Sequence, residues 1–241
     1  MEEALDDDMK VFKAIKSYQL QNLNDLAINV IVDRLNLEPF YEFLKTFNKS
    51  NFLPYHNFYH STCVFLNCYE GAYYSNLDDE EIRGLCAAAL LHDFGHSGGK
   101  LVDSENIKIA LNGLKTANLY ASSKMMGLSE KSMKIAIESI SITQYPFLRN
   151  PSTQSESIIR DADLMQPYEN WDSKLINQYV GLKEEIEIQR GVSYTMSEFA
   201  DGVKAFIETT DWHTEWAHEK AKTRNFDMVK SKLVSSLKDF K

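Results

Sequence analysis

Three short stretches of this chain carry the side chains best suited to hold a cation and move a proton. They are Tyr55-His56-Asn57-Phe58-Tyr59-His60, Leu91-His92-Asp93-Phe94-Gly95-His96 and Arg160-Asp161-Ala162-Asp163. In the second, an apolar run from Cys86 to Leu91 ends in an adjacent imidazole and carboxylate, and His96, Gly98 and Gly99 follow. Burying His92 and Asp93 without a counter-charge is unfavourable, and for mixed nitrogen and oxygen donors the natural counter-charge is a divalent metal. Neighbours inside a helix diverge by about 100°, so these two serve one site best at a helix end, which the glycines supply. An aspartate there can offer its two oxygens to two cations.

His56 and His60 are four positions apart. On a helix they share a face, about 6 Å apart along the axis. They are then half of a metal site, or one ligand beside an acid–base group. The plainer alternative is an aromatic stripe with Tyr55, Phe58 and Tyr59. Asp161 and Asp163 lie on opposed sides of a helix, so one of them faces the site. Asp163, close to a helix stop, works against the macrodipole and gains a reason to be there from a metal. Asp161 is left to Arg160 or to solvent. His213 and His218, among Trp212, Glu215, Trp216 and Glu219, read as surface or packing residues. The convergent set suits an ion that favours nitrogen donors (Zn, Mn or Fe) beside a harder one (Mg or Mn).

Helices must position these groups. Apolar residues recur with helical spacing from Val11 through Ile15, Leu20, Leu23, Leu26, Ile28 and Ile31, after an acidic lead-in over residues 1–10. Phe40, Phe43, Leu44 and Phe47 form a short helix between Pro39 and Pro54. A helix starting near Pro54 runs through His60 to about Tyr74, with proline tolerated in its first turn. Asp78 caps the next, which ends near His92. Asp103 or Ser104 caps another, Ser129 to Ile142 forms a further one, and Ser152 or Thr153 caps the helix that delivers Asp163. Two or three more are expected, over roughly 171–190, 196–220 and 225–240. Strand signals are nearly absent, so the expected fold is all-α, a compact multi-helix bundle.

The 241 residues suffice for one substantial core, and a single domain over 1–241 is expected. A net charge of −9 argues against general nucleic-acid binding. The acidic start over residues 1–8 lacks the basic n-region of a secretory signal, and no apolar run reaches the ~18 residues of a membrane span. Cys63, Cys68 and Cys86 form no CxxC pair. The expectation is a cytoplasmic protein with reduced cysteines and no membrane association.

The order His…His-Asp…Asp resembles the HD superfamily of metal-dependent phosphohydrolases, and the finer pattern is similar to class I 3′,5′-cyclic nucleotide phosphodiesterase catalytic domains. Tyr55-His56-Asn57-Phe58-Tyr59-His60 with Val64 resembles Tyr-His-Asn-x-x-His-x-x-x-Val. His92-Asp93-Phe94-Gly95-His96-Ser97-Gly98 resembles His-Asp-x-x-His-x-Gly, and Ala162-Asp163-Leu164-Met165-Gln166-Pro167 resembles Ala-Asp-Leu-x-x-Pro. The match covers about residues 54–168 as a metal-site core, which helices over 169–241 complete. A weaker echo continues through Glu185, Gly191 and Phe206-Ile207. The chain is shorter than that family's usual catalytic domain, which fits a small microbial or viral relative.

The resemblance implies roles. His60, His92, Asp93 and Asp163 bind the first of two divalent ions, and Asp93 bridges to the second. A bridging hydroxide attacks phosphorus, and His56 is the general acid for the leaving oxygen. His96 and Glu105 hold metal-bound water. Tyr55, Asn57, Met165 and Phe206 line the pocket of a small nucleotide, first of all a 3′,5′-cyclic one. Where those enzymes carry a purine-contacting glutamine before Phe-Ile, this chain has Val203, Lys204 and Ala205, and the nearest preceding glutamine is Gln189. The alternatives are an HD-type nucleotide phosphomonoesterase, or a metal-bearing module that senses nucleotides without turnover.

Overall fold

The computed structural model describes residues 21–165, 173–223 and 226–240. The acidic lead-in, Val11, Ile15 and Leu20, and the motif residues Gln166 and Pro167 lie outside them. Eleven α-helices and one 3-10 turn account for the regular structure, with no strand among the described residues. None of the described helices is long and apolar enough to cross a membrane.

α1 (Gln21–Arg34) turns Ala27, Ile28, Ile31 and Val32 inward, while Leu26 points to solvent. α2 (Glu38–Phe47) carries Pro39 in its first turn and buries Phe40, Phe43 and Leu44. A 3-10 turn (Lys49–Phe52) follows. α3 (Phe58–Tyr74) starts four residues later than expected. Asn57 takes the N-cap: its Oδ1 accepts the amides of Tyr59 and His60, and its Nδ2 donates to the carbonyls of Leu53 and Pro54. Those four bonds hold residues 54–56 as a folded approach rather than a first helical turn.

α4 (Asp79–Leu91) is the central helix. Asp78 and Glu81 close a capping box at its start, and Cys86 through Leu91 are fully buried. It packs on α3 and on α6 (Glu130–Ile142, capped by Ser129). The approach to α6 requires Gly84, where a Cβ would lie 2.4 Å from the Ser132 carbonyl oxygen. α4 ends at His92, as expected.

α5 (Asp103–Ser123) begins without a side-chain cap, contrary to the expectation for Asp103 or Ser104. Asp103 is the first helical residue and its carboxylate is spent elsewhere, on the amide of Tyr145 at 2.6 Å. α7 (Gln154–Leu164) is capped by Thr153. α8 (Ser173–Arg190) and α9 (Met196–Thr209, with a Thr195–Glu198 capping box) follow. The helix expected over 196–220 is broken at 210–214, and α10 (Glu215–Thr223) resumes after it. The cause is Asp161. Fully buried, its carboxylate accepts the amides of His213 and Thr214 and the Thr214 hydroxyl, and this holds the break open. Asp161 thus pairs neither with Arg160 nor with solvent. α11 (Phe226–Asp239) closes the chain against α9. All three cysteines are free, Cys68 and Cys86 buried and Cys63 partly so.

Candidate metal centre and its cavity

Four residues from three helix ends meet at the base of one cavity. His60 comes from the first turn of α3, His92 and Asp93 from the end of α4, and Asp163 from the last turn of α7. Asp93 Oδ2 lies 3.2 Å from His60 Nε2 and 3.0 Å from His92 Nε2. Asp163 Oδ1 lies 3.0 Å and 3.6 Å from the same two nitrogens. His92 Nδ1 donates to the Ala89 carbonyl at 2.8 Å, so its tautomer leaves the Nε2 lone pair facing the cluster.

This donor set fits a divalent cation on three grounds. Asp93 Oδ2 is buried yet has no properly aligned hydrogen bond. The two Nε2 atoms face each other at 3.3 Å, which two neutral acceptor nitrogens do not tolerate without something between them. The separations of 3.0–3.6 Å match ligand atoms sharing an ion at about 2.0–2.2 Å. The supporting contacts are local. Asn48 Oδ1 accepts the Gly95 amide, Ser50 donates to the Asp93 carbonyl, and Asn106 Oδ1 accepts the Ser97 amide.

Charge balance says the same. Burial opposes ionisation of both carboxylates. The His92 and His56 charges nevertheless hold Asp93 well below its usual range, and the His60 and His92 imidazoles do the same for Asp163. Burial would also lower the imidazoles, but Asp163 and Asp93 raise His60 to about 9, and Asp93 and Asp163 raise His92 well above its ordinary value. Two carboxylates are therefore neutralised by two protons, or by one divalent ion in their place. A raised histidine pKa gives stability that is complete below about pH 6.5 and lost as pH rises through about 9. Chelator-treated protein should accordingly melt at a lower temperature at pH 9.5 than at pH 6.5, and added Mn or Zn should remove most of the difference. A melting temperature independent of pH over that interval counts against the cluster as drawn.

A second group sits beside the first. His56 Nδ1 contacts Glu185 Oε2 at 2.6 Å, and the other oxygen of Glu185 accepts the amides of Tyr55 and His56. Burial opposes the charge on Glu185, but the His56 contact outweighs it and holds the carboxyl below its usual value. His56 is not on α3 but on the approach to it, so it is not one helical turn from His60. The folded 54–56 segment still brings their rings to 5.9 Å between centroids. The His96 ring lies against that of His56, tilted by 36° with centroids 3.8 Å apart, and burial with the His56 charge pulls its pKa down to about 4. Asp103 Oδ1 lies 3.9 Å from His96.

Of the expected site residues, the cavity brings together His56, His96, Tyr55, Phe206 and Asp163, with His60, His92 and Asp93 at its base. Three others lie apart. Glu105 points outward and pairs with Lys108, and Asp103 stands where it was expected. Asn57 spends its side chain on the α3 cap, and Met165 is fully buried in the core. Glu185 stands in the weaker echo of the resemblance, but its pairing with His56 carried no local signal, because the two lie 129 positions apart in sequence. The cavity measures about 360 Å³ and its outer walls are mainly apolar and aromatic, including Phe147, Phe199, Val203 and Trp212.

No family model matches the chain, and no curated protein matches it in sequence. Solved structures do match it in shape. Two are of the phosphodiesterase domain of a rhodopsin–phosphodiesterase fusion from the choanoflagellate Salpingoeca rosetta. One has a TM-score of 0.56 and 15% identity over 99% of this chain and 90% of that one. The other has a TM-score of 0.57 and 14% identity over 99% and 86%. At such identities the likeness is one of architecture: this chain has the helical bundle of a phosphodiesterase catalytic domain.

Proposed function

We propose that this protein is a divalent-cation-dependent phosphodiesterase that hydrolyses a small nucleotide, most suitably a 3′,5′-cyclic one. The observation that carries the reading is the His56–Glu185 pair, held 5.9 Å, centroid to centroid, from the His60 ring of a cation-fitting cluster. A divalent cation held by His60, His92, Asp93 and Asp163 supplies Lewis-acid activation of water and of the phosphoryl group.

The chain's own residues do the rest. Glu185 fixes Nδ1 of His56 and so orients the ring, leaving Nε2 to give a proton to the departing ester oxygen. His96, held neutral, lies against that imidazole without competing for the same charge. Tyr55 packs its ring on His60 at 4.9 Å and keeps bulk water from that side of the cluster. Phe206 and Tyr145 give the outer cavity aromatic surface on which a flat ring can rest.

The test is a hydrolysis screen with added Mn or Mg over cyclic mononucleotides, cyclic dinucleotides, nucleoside monophosphates and (p)ppGpp, with products identified. Conversion of a cyclic nucleotide to a monophosphate supports the reading. Release of inorganic phosphate from monophosphates alone would replace it with a phosphomonoesterase.

A further inference from the structure

The C-terminal end of α7 looks three ways. Arg160, Asp161 and Asp163 diverge around its axis by about 100° per residue, and of these Asp163 joins the cluster with His60, His92 and Asp93. Arg160 and Asp161 are buried, 3% and 0% exposed. These adjacent opposite charges are not spent on each other. Each serves backbone groups of a distant segment without regular structure, where peptide groups need outside partners. Arg160 Nη2 donates to the Ile142 carbonyl at 2.7 Å and Nη1 to the Arg149 carbonyl at 2.9 Å, and its guanidinium lies 3.9 Å from the centroid of the Phe147 ring. It thereby spans both ends of the 142–149 connection, whose Tyr145 and Phe147 line the cavity.

Asp161 does the same for the break at 210–214. Thr214, whose hydroxyl donates to Asp161, in turn accepts the Ala217 amide and so starts α10. The break also shapes the cavity. Trp212 follows Val203 by nine positions, and at about 100° per residue an unbroken helix would set the two on opposite faces. Both line the cavity, so Trp212 reaches it only because the helix is interrupted. Phe147 and Trp212 therefore stand on two separate segments, and the helix end that delivers Asp163 holds both.

We propose that Arg160 and Asp161 are positioning residues: they set the Phe147 and Trp212 walls at a fixed distance from the cation-fitting cluster, and so set the size of the group that a bound phosphodiester can carry. This deepens the phosphodiesterase reading and rests on it. The substrate class is a diester whose ester arm fills the space between those walls. A diester with only a methyl arm gains nothing from them.

The experiment is a pair of double-mutant cycles, Asp161→Asn with Trp212→Ala and Arg160→Lys with Phe147→Ala, read by kcat, KM and metal content. Substrates are the 3′,5′-cyclic monophosphates of adenosine, guanosine and uridine, with methyl 4-nitrophenyl phosphate as the small reference. Asp161→Asn keeps the shape but turns an NH2 group toward backbone donors, and Arg160→Lys keeps the charge but cannot reach both carbonyls. Asp161→Asn and Arg160→Lys should each keep their metal. Every single variant should lower kcat/KM for the preferred nucleotide relative to the reference by about tenfold, chiefly through KM. Each double variant should lose no more than its wall residue alone, because the positioning residue acts through that wall. Should Asp161→Asn not fold, Thr214→Val removes one hydroxyl donor to the same carboxylate, and it should shift the ratio in the wild-type background but not beside Trp212→Ala. Losses that add within a cycle, or that are equal on both substrates, overturn the assignment while leaving the phosphodiesterase reading in place. A wild-type protein that cleaves the reference but no nucleotide overturns the assignment together with the nucleotide substrate. One that cleaves neither overturns the phosphodiesterase reading itself.

Discussion

Replacing Asp93 with alanine should strip the protein of its bound divalent ion and lower hydrolysis by on the order of 10³-fold or more, since several kcal/mol of transition-state stabilisation leave with the ion. Asp93 is the residue on which this effect should be largest. Its carboxylate lies within 3.2 Å of both imidazoles of the cluster, and its buried Oδ2 has no aligned hydrogen bond to lose. Removal leaves His60 and His92 with their nitrogens 3.3 Å apart and only Asp163 to balance them. Metal content by elemental analysis and activity on the best substrate are the two readouts. Full metal occupancy with full activity in Asp93→Ala would mean that the cluster is not the site.

Replacing His56 with alanine should act differently. Metal content should stay at the wild-type level, because His56 contributes no atom to the four-residue cluster. The rate should fall by about 10²–10⁴-fold, the usual worth of a positioned general acid. The loss should also depend on the leaving group. A 4-nitrophenolate departs without a proton, so 4-nitrophenyl esters should lose much less than an alkyl ester such as a cyclic nucleotide. Glu185→Gln should show the same pattern in milder form, since Glu185 acts only by orienting His56. An equal loss for good and poor leaving groups would show that His56 positions substrate and does not protonate it.

Much of the site could be read in the residues themselves, and what could not has a common physical origin. His60, His92, Asp93 and Asp163 were legible because each sits at a helix end marked by local signals: an apolar run, glycines, a cap three residues before Glu156. Helical period left one of Asp161 and Asp163 to face the site, and the nearby helix stop favoured Asp163, but neither gave the fate of Asp161. Its partners, the amides of residues 213 and 214, lie more than fifty positions away and break a helix that local pattern extends to 220. The pairing of Glu185 with His56 was hidden for the same reason. On α8 Glu185 is one more acid in a charged stretch until the fold sets it against His56. The resemblance named Glu105, but the fold turns it outward to Lys108 and sets Asp103 on the cavity wall, where its carboxylate takes the Tyr145 amide and caps no helix. The start of α3 was misplaced because Pro54 suits a first turn, yet Asn57 offers four hydrogen bonds that a helix begun at Pro54 would forgo. Local signals thus gave the helices and the four side chains that converge, while the partner of His56 and the cavity wall depended on contacts that only the folded chain makes.

The central claim is that one cavity joins a cation-fitting cluster to His56 as proton donor for the hydrolysis of a nucleotide phosphodiester. Turnover of a 3′,5′-cyclic nucleotide by metal-loaded wild-type protein in ¹⁸O-water tests it most directly. The account predicts a nucleoside monophosphate with one ¹⁸O on phosphorus, formed only when the ion is present. Absence of turnover in every metal tried, or a product whose phosphate carries no label, would contradict it.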